Sequence, residues 1–283
     1  MANAPADETP TGPGELGRAP GEAIDAAHVR VPTRGNRRLE ALLEGVNADP
    51  EVRTWWHLAQ VQSERLGMSD HSWVHVQVVI NIALRVLRLL VKGGVRPAIV
   101  SDHGMRDRDA EVVVASGALL HDVGMSIHRA DHEAFSLFLA ERKLRELLAD
   151  VYRDPAERAV LVAESLHAII GHRRRGEPYT VEAGVVRVAD ALDMAHGRSR
   201  LTVEAGRMGI HAISAAAIDQ VEISAGSERA VRIEITMNNS AGIFQVDDLL
   251  ATKLRGTPLE DHVEVVAQVE GEAEKRLLTE FRI

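Results

Sequence analysis

The dipeptide His121-Asp122 lies inside the apolar stretch Ala118-Leu119-Leu120-His121-Asp122-Val123-Gly124. An imidazole and a carboxylate are both costly to bury, and placing them side by side in a hydrophobic segment calls for a compensating partner. A bound cation is one such partner. Other histidines and aspartates recur around the pair: His75 before it, then His128, His132, His167, His172 and Asp190. This pattern suits a metal site assembled from several helices.

Composition supports a helical core. Of the 283 residues 45% are hydrophobic but only 3% aromatic, so Ala, Val, Leu and Ile must fill the interior, which suits closely packed helices. The formal charge of −9 is spread without a long run of one sign. Binding to a nucleic-acid scaffold or an anionic membrane, both of which rely on concentrated Lys and Arg, is therefore not expected. The chain has no cysteine, which removes disulfides, thiolate ligands and cysteine nucleophiles. Nitrogen and oxygen ligands then point to Mn, Fe, Co, Ni or Zn, with Mg disfavoured as imidazoles accumulate. The N-terminus lacks a secretory pattern, and Asn81, Arg85 and Arg88 interrupt the apolar run Val76–Val91. No spanning helix is expected, and the cytoplasm is the expected compartment.

Three regions follow. Residues 1–36 hold five of the ten prolines and read as a flexible tail, ordered late at Val29–Val31. Residues 37–208 show helical periodicity. Leu39, Leu42, Leu43 and Val46 mark one helix, and Val52, Trp55, Leu58, Ala59 and Leu66 a second. A third runs from His71 to about Val91, capped by Ser69 or Asp70, and a polar loop covers 101–109. Further helices carry His121-Asp122, span about Asp131 to Val151, start at Asp154-Pro155 with His167 and His172 aboard, and open at Thr180 toward Asp190. From 209 to 283 the pattern changes. Val221–Ser224, Val231–Met237, His262–Val269 and Arg276–Ile283 read as strands, and Val246, Leu249, Leu250 and Leu254 have helical spacing. The expected fold is mainly α, with a small C-terminal α+β unit of order strand–strand–helix–strand–strand.

His71 and His75 lie four apart, as do His128 and His132, the spacing of one helix face. His167 and His172 are five apart, roughly 140° around a regular helix, so spacing alone admits only one of them to a shared centre. Each histidine taken singly is more often structural than catalytic. His71 reads as a helix-start residue near solvent, and His167 as a hydrogen-bonded core residue. His57, His196, His211 and His262 have no spacing argument behind them, and His103 with Asp102 and Asp107 reads as a polar loop. Asp193 competes with Asp190, whose placement after Ala189 favours it.

His75, His121-Asp122 and Asp190, in that order and spacing, resemble the H…HD…D signature of the HD-domain superfamily of metal-dependent phosphohydrolases, over about residues 50–208. The resemblance implies an HD-type helical bundle in which the four motif residues bind one divalent metal. His132 and His172 sit where binuclear members carry ligands for a second metal, with Asp122 bridging, and Leu166–His172 (LHAIIGH) resembles the matching stretch of such members. One or two ions are thus implied, together with hydrolysis of a phosphomonoester or phosphodiester of a nucleotide or related small molecule by a metal-bridging hydroxide. Asp122 is the central catalytic residue on this reading, and His128 would orient substrate or protonate the leaving group. Arg129, Arg173, Arg198 and Arg200 are candidate phosphate clamps, though Arg173–Arg175 could equally be a solvated loop. The contrasting expectation is a non-catalytic metal- or nucleotide-binding regulatory protein that forms a homodimer through the strands of its C-terminal unit.

Overall fold

The computed structural model describes residues 20–174, 176–194 and 214–270. Helices α1 (Pro20–Ala26), α2 (Arg37–Ala48), α3 (Pro50–Leu66), α4 (Trp73–Lys92), the short α5 (Ala98–Ser101), α6 (Asp107–Leu120), α7 (His132–Leu147), α8 (Pro155–Gly171) and α9 (Val181–Leu192) form the bundle. A small sheet, β1 (Ile218–Ala225), β2 (Val231–Met237) and β3 (Val263–Val269), follows. The fold is thus mainly helical with a small C-terminal α+β unit.

Local chemistry sets several helix starts. Asp49 and Asp154 accept backbone N–H bonds ahead of Pro50 and Pro155, whose fixed φ suits the first helical position. Thr180 caps α9 through the Ala183 N–H at 3.2 Å. Helix α4 is capped by Ser72 rather than by Ser69 or Asp70 as its periodicity suggests. Asp70 instead accepts the Ser72 N–H at 2.8 Å, which fixes the capping residue itself.

Helix α6 is the central element, with every residue from Val112 to Leu120 buried. Its small residues allow this. A Cβ at Gly117 would stand 3.0 Å from both Ala168 of α8 and Val186 of α9, so the glycine sets the closeness of three helices. Ala- and Val-rich packing replaces aromatic bulk here, consistent with the composition. At the end of α6 the Trp56 indole donates to the Leu119 carbonyl at 2.9 Å, fixing the point at which His121 leaves the helix.

Helix α4 packs between α6 and α9. By length and composition alone it could cross a membrane, despite Asn81, Arg85 and Arg88, but half of its most apolar window is buried within the protein. Arg88 is paired with Glu111 of α6 at 2.7 Å. Within the tail expected over 1–36, the described residues are ordered from α1 onward, ahead of the expected Val29–Val31. Ala27 and Val29 are core residues, and Asn47 bonds both the N–H and the carbonyl of Val29 at 2.8 Å, because two apolar side chains there find a niche against α2 and α3. Residues 1–19 lie outside the described residues.

In the C-terminal unit β1 and β2 form an antiparallel hairpin, and β3 lies parallel to β2 on its other side. The parallel pairing requires a crossover. It contains a π-helical stretch, Gln245–Ala251, running into Thr252–Leu254. This crossover packs on α9, where Leu259 lies against Gly184. The strand expected at 276–283 lies outside the described residues.

Candidate metal centre

Five helices and the turn that follows one of them converge at one point. Helix α4 contributes His75 from its first turn, and α9 contributes Asp190 from its last. His121 and Asp122 were expected on a helix, but α6 ends at Leu120. His121 caps it and Asp122 begins a single 3-10 turn, Val123–Ser126. Helix α7 starts with His132, and His172 caps the end of α8. Helix ends suit this task, since their free backbone groups can orient a ring.

Two contacts fix the turn after Asp122. Ser136 Oγ donates to the His121 carbonyl at 2.7 Å and accepts the Gly124 N–H at 2.8 Å, stapling the turn to α7. Gly124 sits so close to α7 that a Cβ would run into the His132 carbonyl and the Ser136 amide. His128 and His132 do not share a helix face as their spacing suggests. Asp131, with a left-handed φ of 59°, interrupts the chain between them.

The ligand-type atoms fall into two buried groups, His75 with His121 and Asp190, and Asp122 with His132 and His172, each group lying within 4.8 Å. Asp122 divides its oxygens between them. Oδ2 lies 3.3 Å from His121 Nε2 and 3.6 Å from His75 Nε2, while Oδ1 lies 3.1 Å from His132 Nε2 and 3.6 Å from His172 Nε2. Asp190 Oδ1 stands 3.5 Å from His75 Nε2.

The outward nitrogens fix the tautomers. His75 Nδ1 donates to Asp193 Oδ2 at 2.6 Å, His121 Nδ1 to the Ala118 carbonyl at 2.9 Å, and His172 Nδ1 to the Ile169 carbonyl at 2.5 Å. Carboxylates and carbonyls only accept, so each of these Nδ1 atoms carries a proton and each ring turns its Nε2 inward. His75 Nε2 and His121 Nε2 face each other at 3.2 Å. With both Nδ1 protons directed outward, these two Nε2 atoms are the ones a shared cation would take. The donor set therefore fits divalent metal: imidazoles with correctly held outer protons, two carboxylates and no thiolate.

Charge is distributed unevenly. Burial works against the Asp122 carboxylate, yet His121, His132 and His172 hold it well below the usual carboxylate range. Burial lowers His172, and His121 pushes the same way, outweighing Asp122. Burial also opposes a charge on His132, but Asp122 and Glu133 raise it above the usual imidazole value.

Other residues singled out by spacing fall into place around this centre. His71 is buried, not near solvent. Its Nδ1 lies 2.7 Å from the Ser69 carbonyl and its Nε2 4.0 Å from Asp122 Oδ2, because the segment before Ser72 folds back over the site. Asp193 acts on His75 from outside. His167 lies apart from the cluster. It accepts the Tyr179 N–H at 3.0 Å and stacks on that ring. His128 is exposed, its Nδ1 accepting the Ala130 N–H at 3.0 Å. Arg129 reaches His132 Nδ1 at 2.8 Å, Arg173 pairs with Asp131 at 3.3 Å and Arg174 with Asp248 at 2.9 Å. His103 pairs with Glu164 at 3.1 Å. Arg175, His196, Arg198, Arg200 and His211 lie outside the described residues.

Two further residues carry no motif signal. Arg187 is buried in α9, and its guanidinium donates to the carbonyls of Gly171, Arg173, Arg174 and Lys253, tying the segment around His172 to the crossover. Lys253 Nζ pairs with Asp190 Oδ2. Only the three-dimensional fold reveals either role.

Comparison with known proteins agrees with this arrangement. The HD domain family model matches residues 79–195, which include every ligand candidate except His75. Uncharacterized protein MJ1020 of Methanocaldococcus jannaschii is 38% identical over 224 residues, covering 78% of this chain and 86% of the relative. No solved structure matches.

Proposed function

Because this chain belongs to the HD-domain family, a superfamily of metal-dependent hydrolases, we propose that it is a phosphohydrolase acting on a phosphomonoester or phosphodiester, with a nucleotide or related small molecule as substrate. The observation that carries this reading is the division of Asp122 between two buried groups of ligand-type atoms. HD domains bind divalent metals, and His75, His121 and Asp190 would hold one ion and His132 and His172 a second, with Asp122 between them. When bound, such ions would acidify a water and neutralise charge on a phosphoryl group.

The chain's own groups then have distinct tasks. Asp193 keeps the outer proton on His75, as the Ala118 and Ile169 carbonyls do for His121 and His172. Arg129 now bonds His132 Nδ1, but the Arg129 carbonyl and Glu133 also face that atom, at 3.1 and 3.3 Å. Were His132 to hold a metal through Nε2, its Nδ1 would carry a proton and could not accept from a guanidinium. Arg129 would then be free to bind a phosphoryl oxygen, and Arg173, just past the end of α8 and paired with Asp131, is a second candidate for that role. His128 accepts at Nδ1, which leaves its proton on Nε2, where it can be donated to a leaving oxygen.

The test is a screen of phosphate mono- and diesters, nucleotides included, with protein reloaded separately with Mn, Fe, Co, Ni and Zn. Metal-dependent hydrolysis is expected, falling at least about 100-fold in Asp122→Asn. No cleavage with any metal, or full activity in Asp122→Asn, would overturn the reading.

A further inference from the structure

The C-terminal unit places a cation at the edge of the centre. Lys253 lies 63 positions after Asp190, and its ammonium pairs with Asp190 Oδ2 while Oδ1 of the same carboxylate faces His75 and His121. The Asp190 carboxylate therefore stands between Nζ and the imidazoles of His75 and His121. The lysine is held in position rather than hanging free. Its carbonyl accepts Arg187 Nε at 2.9 Å, and Arg187 precedes Asp190 by three residues on the same face of α9. Leu250 and Leu254 are buried on either side of it in sequence, and Asp248 adds the ion pair to Arg174.

A lysine fixed on a ligand carboxylate weakens that ligand for a metal, so charge balance alone is a poor reason to bring it from another part of the fold. An ammonium has three donors. Among the described residues Lys253 Nζ donates only to Asp190, and the side chain keeps 14% of its exposure. It can hold Asp190 and bind a solute anion at once.

We propose that Lys253 is a phosphate-binding residue of this centre, its ammonium taking a non-bridging oxygen of a terminal, dianionic phosphate. This makes the C-terminal unit part of the substrate site, and it favours phosphomonoesters over diesters because a third fixed cation gains more from the doubly charged group. The inference rests on the phosphohydrolase reading and narrows its substrate class.

The test compares the full-length wild type, Lys253→Met and Lys253→Arg after metal loading. Metal content is read by elemental mass spectrometry, and affinities for inorganic phosphate and dimethyl phosphate by calorimetry at mildly alkaline pH. In Lys253→Met the metal content is expected to stay at the wild-type level and phosphate affinity to fall about 10- to 100-fold. Dimethyl phosphate should change little, and Lys253→Arg should restore most of the phosphate affinity. Unchanged phosphate affinity with metal retained would overturn the proposal, leaving Lys253 as a counter-ion of Asp190. Loss of metal in both variants would also overturn it, as a structural role. Wild-type protein that takes up no metal would overturn the phosphohydrolase reading along with it. Wild type that binds metal and phosphate but cleaves no ester would overturn only that reading.

Discussion

The Nε2 atoms of His75 and His121 face each other at 3.2 Å, and both rings have their Nδ1 protons committed elsewhere. Neither can relieve the contact by changing tautomer without losing an outer hydrogen bond, so the pair is poised for a cation. Divalent metal should therefore stabilise the fold. At metal concentrations about a thousandfold above the dissociation constant, the gain is about 4 kcal/mol, or on the order of 10 °C in Tm. Thermal denaturation with and without chelator measures it. His75→Ala should give a clearly smaller shift, and an equal shift in that variant would place the stabilising ion elsewhere.

Gly124→Ala should displace the start of α7, because the new methyl meets the His132 carbonyl and the Ser136 amide, neither of which can swing aside as a side chain can. A cost of about 1–3 kcal/mol is expected. Metal content should fall by one ion per chain, as His132 moves off Asp122. Retention of full metal and wild-type Tm would show that the turn yields without moving the ligand.

Arg187→Met should leave the carbonyls of Gly171, Arg173, Arg174 and Lys253 without their shared donor. Burial lowers the pKa of this guanidinium, yet its bonds go to carbonyls that no neutral side chain can serve together. Loss of about 3 kcal/mol in denaturant unfolding is expected. Arg187→Lys should rescue little, since an ammonium lacks the planar fork that reaches two segments at once.

Lys143 sets an acid limit far from the centre. Its ammonium lies 2.8 Å from Asp49, 2.7 Å from Glu51 and 2.9 Å from Glu146. Hydrogen bonds from Lys143, followed by Arg142 for Glu51, lower the pKa of both glutamates from 4.5. A depressed carboxylate stabilises the fold above its unfolded pKa and loses that contribution as pH falls through the folded value. Wild-type Tm should therefore drop below about pH 4.5, the ordinary glutamate value. Lys143→Met should show a shallower drop. The difference should shrink in high salt because both glutamate side chains are about half-exposed. Parallel pH curves for the two proteins would contradict the assignment.

The helical bundle was legible because it is written in local pattern: periodic Leu and Val, Asp-Pro starts, and a change to alternation after residue 209. The set His75, His121, Asp122, His132, His172 and Asp190 was legible for a different reason: buried-looking imidazole and carboxylate groups mark a candidate site, and the resemblance to the HD signature and its binuclear members selects these six. Exposure was harder to read. His71 looked solvent-facing because periodicity cannot show a segment folding back over the helix it precedes. His128 and His132 looked like one helix face because a left-handed Asp131 has no strong sequence signal. Arg187 and Lys253 were invisible, as their partners are backbone carbonyls and a carboxylate brought close only by docking of the crossover on α9. Gly124 was visible as a glycine, but its closeness to α7 belongs to tertiary structure.

Metal content per chain is the most direct measurement, made by elemental mass spectrometry on protein purified without chelators or a histidine tag. About two transition-metal ions per chain are expected, one for each group of ligands joined by Asp122. Protein that stays metal-free after incubation with Mn, Fe and Zn would contradict the binuclear centre and the hydrolytic function built on it.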